Sequence, residues 1–257
     1  MPADDLSGEI PKKIDLRQMT QARVRIGHVG AGIPTRAAQS FLLDHARARQ
    51  AVWSDIDRQG LGRAIEAEGL SFIEIESQAA DRSTYIRRPD LGRLLSQASQ
   101  QRIDDLVNHE ANSCDIVIVI ADGLSASAVE LNALPMIRAL MHRLYRYNLS
   151  LAPIFLAAQA RVALADPIGE KMAAKATIML IGERPGLSAA DSLGAYITYA
   201  PVSGTPDSRR NCISNIRDGG LSAEMAADTA MKLLQNMLRT GISGVNLKQA
   251  IAALPSD

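Results

Sequence analysis

Aromatic rings, thiols and imidazoles are scarce in this chain. Its 257 residues hold three Phe, one Trp and five Tyr, with two Cys and four His, and 28 Lys and Arg balance 28 Asp and Glu to a formal net charge of zero. Each shortage excludes something. Without a basic excess there is no electrostatic footprint for nucleic acid, because phosphate contacts need one. So few rings make no platform on which single-stranded bases stack. Cys114 and Cys212 are remote from each other, so neither a CxxC redox motif nor a disulfide framework is legible, a usage that fits a reducing compartment. Long apolar runs are missing too. The longest candidate, Leu149 to Ala165, is interrupted by Gln159 and Arg161 and falls short of the ~18–20 residues of a membrane span. Met1 to Lys13 is acidic first and has no apolar core, so no secretory signal is expected. Neutrality gives little colloidal repulsion, which suits a subunit that lives in an assembly.

Recognisable catalytic fingerprints are missing as well. Gly27, Gly30 and Gly32 have the reverse spacing of a dinucleotide-binding loop and are followed by Pro34. No phosphate-cradling loop of the GxxxxGK[ST] type occurs. Gly123-Leu-Ser125-Ala-Ser127 lacks the closing glycine of a hydrolase nucleophile elbow. His28, His45, His109 and His142 show neither HxxxH nor HExxH spacing, and with two remote Cys no zinc site can be assembled from them. Each His reads as a surface or satisfied helical residue. The chain has no obvious catalytic set of its own.

What is present is an α/β alternation. Hydrophobic content of 47% and charged content of 22% are those of a globular protein. At roughly 150 residues per domain the length suits one or two domains. Such a chain buries on the order of 70–75% of its unfolded surface, so it needs no staples. Residues 1–14 read as a flexible lead-in, since Pro2, Gly8 and Pro11 break any period. Asp15 caps a short helix through about Arg23, and a glycine loop runs from Ile26 to Pro34. Thr35 caps a helix to about Ala51, Leu61–Gly69 is weakly helical, and Leu70–Glu76 alternates as a half-buried strand. Pro89 is expected to open a helix running from Asp90 to about His109.

Beyond residue 110 the pattern sharpens. Cys114–Ile120 is a β-branched apolar run typical of a strand buried on both faces. A helix follows through Leu144, then a buried strand at Leu151–Leu156 and a helix start at Asp166-Pro167. Lys175–Ile181 is a third buried strand and Asp191–Tyr199 a fourth, after which residues 201–221 read as loop. Leu221 and Ser222 start a last long helix that Gly241 ends. The expected fold is an open, largely parallel, Rossmann-like α/β sheet with a helical N-terminal lobe. The expected division is residues 1–14, a lobe over 15–110 and an α/β domain over 111–257.

In open α/β sheets ligands bind outside the carboxyl ends of the strands. Four segments are candidates there: 121–125, 159–162, 182–186 and 210–216, the last read as a loop rich in side-chain donors and acceptors. At these segments the chain resembles the small (light) subunit of ethanolamine ammonia-lyase. The resemblance is carried by Tyr85-Ile-Arg-Arg-Pro-Asp-Leu-Gly-Arg93, Ile120-Ala-Asp-Gly-Leu-Ser125, Ala160-Arg-Val162 with Asp166 to Glu170, Ile181-Gly-Glu-Arg-Pro-Gly-Leu187, Asn211-Cys-Ile-Ser-Asn-Ile216 and Ser243-Gly-Val-Asn246. It extends in order from about Asp15 to Leu247.

The resemblance implies a division of labour. In that family a large TIM-barrel subunit binds ethanolamine, and adenosylcobalamin lies between it and the small subunit. Homolysis of the Co–C bond starts a radical reaction that yields acetaldehyde and ammonia. The cofactor carries the chemistry while the protein supplies binding and orientation. The implied cobalamin contacts are Val162, Glu183 and Cys212: Val162 as a main-chain or packing contact, Glu183 as an acceptor for corrin amide N–H groups, and Cys212 as a packing contact and weak donor. Taken alone, Val162 also suits a core position, Glu183 a pair with Arg184 or with a partner Arg, and Cys212 an inert buried thiol. No His has Asp two before and Gly three after it, so this chain is not expected to ligate cobalt. Arg82, Arg87, Arg88 and Arg93 suit either folding and the large-subunit interface or a solvated basic face. Some family members carry a long N-terminal extension associated with bacterial microcompartments. Here about fourteen residues precede the matching region, without a clear amphipathic helix. The expected location is therefore the cytoplasm, with or without such a compartment around it. Two other readings stand beside this one: a self-sufficient nucleotide or redox enzyme, and an adaptor that binds protein only.

Overall fold

Residues 32–109 and 114–253 are described by a computed structural model. The lead-in 1–14, the helix expected over Asp15–Arg23 and most of the glycine loop lie outside these residues.

Apolar β-branched runs make the centre of the sheet. β2 (Ile116–Ala121) and β4 (Ala176–Gly182) are buried along their whole length, as strands covered on both faces must be. β3 (Ile154–Ala158) pairs on the other side of β2, and β1 (Phe72–Glu76) pairs outside β3. These four strands are parallel. β5 (Leu193–Tyr199) and β6 (Arg210–Ile216) continue the sheet antiparallel from β4, giving the order β1-β3-β2-β4-β5-β6. The sheet is therefore mixed, and its last third departs from the parallel arrangement expected.

β6 occupies residues expected to be loop. Its burial does not keep a two-residue period: Arg210, Ile213 and Ile216 are buried while Cys212 and Ser214 are exposed. Arg210 shares the phase of Cys212 but is buried in its ion pair with Asp166, and the pairing shifts between Leu193 and Ala195. A strand with one open face has no continuous apolar signature, so the polar run hid it.

Helices cover the two faces unequally. α5 (Ala126–Leu144) and α7 (Ala223–Thr240) pack on one face and share a core with Ile118, Ile154, Ile178 and Ile197. α4 (Gln97–His109) and α6 (Ala165–Lys171) build the second core with Val117, Val119, Phe155 and Met179. Each start has a local cause. The Ser125 hydroxyl caps α5 by accepting from the Ala128 N–H at 3.1 Å, and Ser222 caps α7 by accepting from Met225 N–H. Gly241, at φ 69°, ends α7 in the left-handed conformation.

Around this frame lie α1 (Thr35–Trp53), α2 (Arg58–Ala67), α3 (Arg82–Arg87) and α8 (Leu247–Ala252). Pro34 rather than Thr35 stands at the cap of α1. The single helix expected from Asp90 to His109 is two elements, a 3-10 turn at Leu91–Arg93 and then α4. Between them Leu95 is drawn into the second core, and the backbone pairs with the end of β1 through Gln78 N–H to Leu94 O and Ser96 N–H to Glu76 O. Among the described residues no helix is long and apolar enough to cross a membrane.

Candidate functional site

Two of the four candidate segments meet because two glycines let their backbones touch, and Asp122 ties in a third. A Cβ on Gly123 would lie 2.1 Å from Gly182 O, and one on Gly182 would lie 2.1 Å from Ser125 O. Only glycine fits either place. Leu124 N–H donates to Gly182 O at 2.9 Å, locking the end of β2 to the end of β4. Asp122 ties in the end of β3, because its carboxylate accepts from Gln159 N–H at 2.9 Å and Ala160 N–H at 3.0 Å. Gln159 adopts φ 53°, an uncommon conformation for a residue with a side chain, as the chain turns there. Arg82 closes the knot, its Nη1 donating to Asp122 at 3.0 Å and its Nε to Val52 O at 2.6 Å. Burial pushes the Asp122 carboxyl up, and the Arg82 charge with the two backbone donors pulls against that.

The β3 end leads straight into the 3-10 turn Val162–Leu164, and Val162 packs half-buried against the second core. Alternation along β5 and β6 puts the rest of the site on that same face. Ala195 and Ile197 point into the first core, so Gly194 and Tyr196 point away from it. Cys212 lies opposite Tyr196 in the β5–β6 pairing. Ser214, two residues on, follows Cys212 onto this face. Helices α7 and α5 cover the other side of β5, and Cys212 and Ser214 remain exposed.

Glu183 lies on this open face, just beyond β4. A Cβ on Gly194 would stand 2.9 Å from its Oε1, so the missing side chain at Gly194 is what lets the carboxylate lie flat over β5. Oε2 accepts from Ser192 Oγ at 2.5 Å and from Asn215 N–H at 3.2 Å, and Oε1 accepts from Ser214 Oγ at 2.5 Å. A carboxylate has about four acceptor positions. Three are used, which leaves Oε1 room for one more donor. The pair with Arg184 considered from sequence is not among the ion pairs of the described residues.

Two titratable neighbours have shifted. The Cys212 thiol is pushed up, first by desolvation and then by the Glu183 charge, against a hydrogen bond with Tyr196 that lowers it. The Tyr196 hydroxyl is pushed up as well, chiefly by desolvation. Cys212 is therefore a neutral thiol near pH 7, a packing group and weak donor rather than a nucleophile.

Val162, Glu183 and Cys212, far apart in the chain, thus border one sheet face. The cavity of about 440 Å³ at the ends of β1 and β3, lined by Glu76, Ser77, Arg82, Asp122 and Gln159 among others, includes none of the three. Among the described residues no cluster of His, Cys, Asp and Glu could hold a metal ion. Of the four arginines singled out, Arg82 is buried in the Asp122 pair, Arg88 forks onto Asp90 in solvent, Arg87 bonds Ser83, and Arg93 reaches only to 3.9 Å of Asp207. Sequence reasoning placed Asp122 in a candidate segment without a role and passed over Gly194 and Tyr196. The signal for Tyr196 was available, since it is the bulkiest residue on the non-core phase of β5. Gly194 had none, because its role exists only through Glu183.

A family model for the ethanolamine ammonia-lyase light chain matches residues 12–248. Among curated relatives, an ethanolamine ammonia-lyase small subunit from Azotobacter vinelandii is 47% identical over 233 residues, covering 91% of this chain and 86% of that protein. Small subunits from Pseudomonas fluorescens and Pseudomonas aeruginosa are 44% and 45% identical, each covering 95% of this chain and 89% of the relative.

Proposed function

The chain belongs to the ethanolamine ammonia-lyase light-chain family, and from that premise we propose that its open sheet face covers adenosylcobalamin at the interface with the large subunit. The small-subunit identity makes it one part of a hetero-oligomeric lyase. The reaction in this reading converts ethanolamine to acetaldehyde and ammonia. When bound, the cofactor supplies the radical chemistry. The observation that carries the reading is the convergence of Val162, Glu183 and Cys212 on one face that this chain leaves uncovered.

The residues fit such a ligand. Corrin side chains end in amides, and Glu183 Oε1 has an acceptor position free on a carboxylate already fixed by three donors. A fixed acceptor loses little freedom on binding, so more of the hydrogen bond appears as affinity. Val162 and the Tyr196 ring give the face apolar area that excludes water. Cys212, kept neutral, adds contact without introducing a charge. The large subunit closes the other side in this reading and holds the substrate. Residues 111–257 supply the covering face, and the lobe over 15–110 braces it through Arg82 and Tyr85. We read the four parallel strands, with α5 and α6 on opposite faces, as the Rossmann-like part of the fold, and the cytoplasm as its location.

Reconstitution tests this. The chain co-expressed with a large subunit should co-purify with it, shift the cobalamin absorbance spectrum and turn over ethanolamine only when both subunits and adenosylcobalamin are present. Ethanolamine turnover by this chain alone would sink the proposal. So would unchanged cobalamin affinity after Glu183→Ala combined with Cys212→Ala, which would leave an adaptor that binds protein only.

A further inference from the structure

Two guanidinium groups lie over one tyrosine ring. Tyr85 is fully buried, with Arg82 Cζ 5.0 Å and Arg161 Cζ 4.6 Å from its ring centroid. Its hydroxyl donates to Ala160 O at 2.9 Å. Arg161 is gripped from the other side by Gly92, whose carbonyl accepts from Arg161 N–H at 2.8 Å and whose missing Cβ leaves space for the Arg161 side chain. The segment from Tyr85 to Gly92 thus fixes both the backbone and the guanidinium of Arg161, one residue before Val162.

The two cations are not equivalent. Arg82 is neutralised by Asp122. Arg161 makes no ion pair among the described residues, and its Nε, like Arg82 Nη2, is buried there without an acceptor. Placing a second, half-buried cation beside Arg82 is unfavourable unless an anion arrives from beyond the described residues, and a stacked guanidinium is a pre-organised receptor for phosphate oxygens. We propose that Arg161 is a further cofactor-binding residue whose guanidinium binds the anionic phosphodiester in the nucleotide loop of adenosylcobalamin. This rests on the cobalamin-covering reading above.

The test compares two ligands on the reconstituted complex by spectrophotometric titration. Adenosylcobalamin carries the phosphodiester, and adenosylcobinamide lacks it together with the benzimidazole. Arg161→Gln should weaken adenosylcobalamin about 10- to 100-fold, as loss of a charge-assisted hydrogen bond does, and leave adenosylcobinamide unchanged. Arg161→Lys should recover part of the loss, since it restores the charge without the planar fork. Equal weakening of both ligands would overturn the proposal, because it would mean that Arg161 only places Val162. No weakening, or failure of Arg161→Gln to co-purify with the large subunit, would overturn it as well. A wild-type complex that binds neither ligand would overturn the covering reading and this proposal with it. If neither variant folds, the wild type decides: its preference for adenosylcobalamin over adenosylcobinamide should shrink as ionic strength rises, and a flat ratio would overturn the proposal.

Discussion

The two halves of the sheet differ in what lies against them. β1, β3, β2 and β4 have helices on both faces, and the central pair is apolar from end to end. β5 and β6 carry α7 on one face and leave Tyr196, Cys212 and Ser214 on the other. The parallel half is complete within this chain. The antiparallel half is finished on one side only, and its polar residues are placed by a glycine at 194 and a carboxylate at 183 rather than by a helix. A sheet edge that would look poorly packed in a monomer suits the covering role proposed above.

The largest effect is expected within the parallel half, where the ends of β2 and β4 meet. Gly182→Ala places a methyl 2.1 Å from Ser125 O and 2.4 Å from Asp122 O, both backbone atoms that cannot step aside. Overpacking costs about 1–3 kcal/mol and more when backbone must move. This variant should lose at least the upper end of that range in urea denaturation, or fail to fold. A loss below ~0.5 kcal/mol would show that the ends of β2 and β4 are not locked together.

A smaller effect compares the halves directly. Ile118→Ala, in the fully buried β2, should cost about 2–5 kcal/mol. Cys212→Ala, on the open face, should stay within ~0.5 kcal/mol in the same measurement. Equal losses would erase the distinction between a finished and an unfinished half.

The smallest effect is kinetic. A thiol whose pKa is raised stays protonated to higher pH, so Cys212 should react with iodoacetamide more slowly at pH 8 than an unperturbed thiol, and its rate should keep climbing above the usual thiol range. Cobalamin in the reconstituted complex should slow it further. Cys114, buried in the second core beneath α6, should not react in the native protein. A rate at pH 7 matching a free thiol would mean that the open face does not desolvate Cys212.

How legible all this was depended on whether a residue's neighbours were local. The β-branched runs in β2 and β4, the start of α7 at Ser222 and the Gly241 stop could be read directly, because each depends on a few adjacent residues. β6 could not be, since its evidence is a cross-strand partner in β5. The helix expected after Pro89 broke because Leu95 was worth more in the second core than in a continuous helix, a competition invisible without β1 and α6. Val162, Glu183 and Cys212 were singled out through a family resemblance, and nothing in their spacing says that they share a face.

By itself the sequence determined the α/β alternation and the family, because periodicity and motif order are properties of the chain alone. Only the tertiary structure decided that the last two strands run antiparallel, that Gly194 makes room for Glu183, and that Arg161 has no ion-pair partner among the described residues beside a ring it shares with Arg82. Those facts arise from contacts between residues distant in sequence, where hydrogen-bond accounting and excluded volume select one arrangement among many that the local pattern allows.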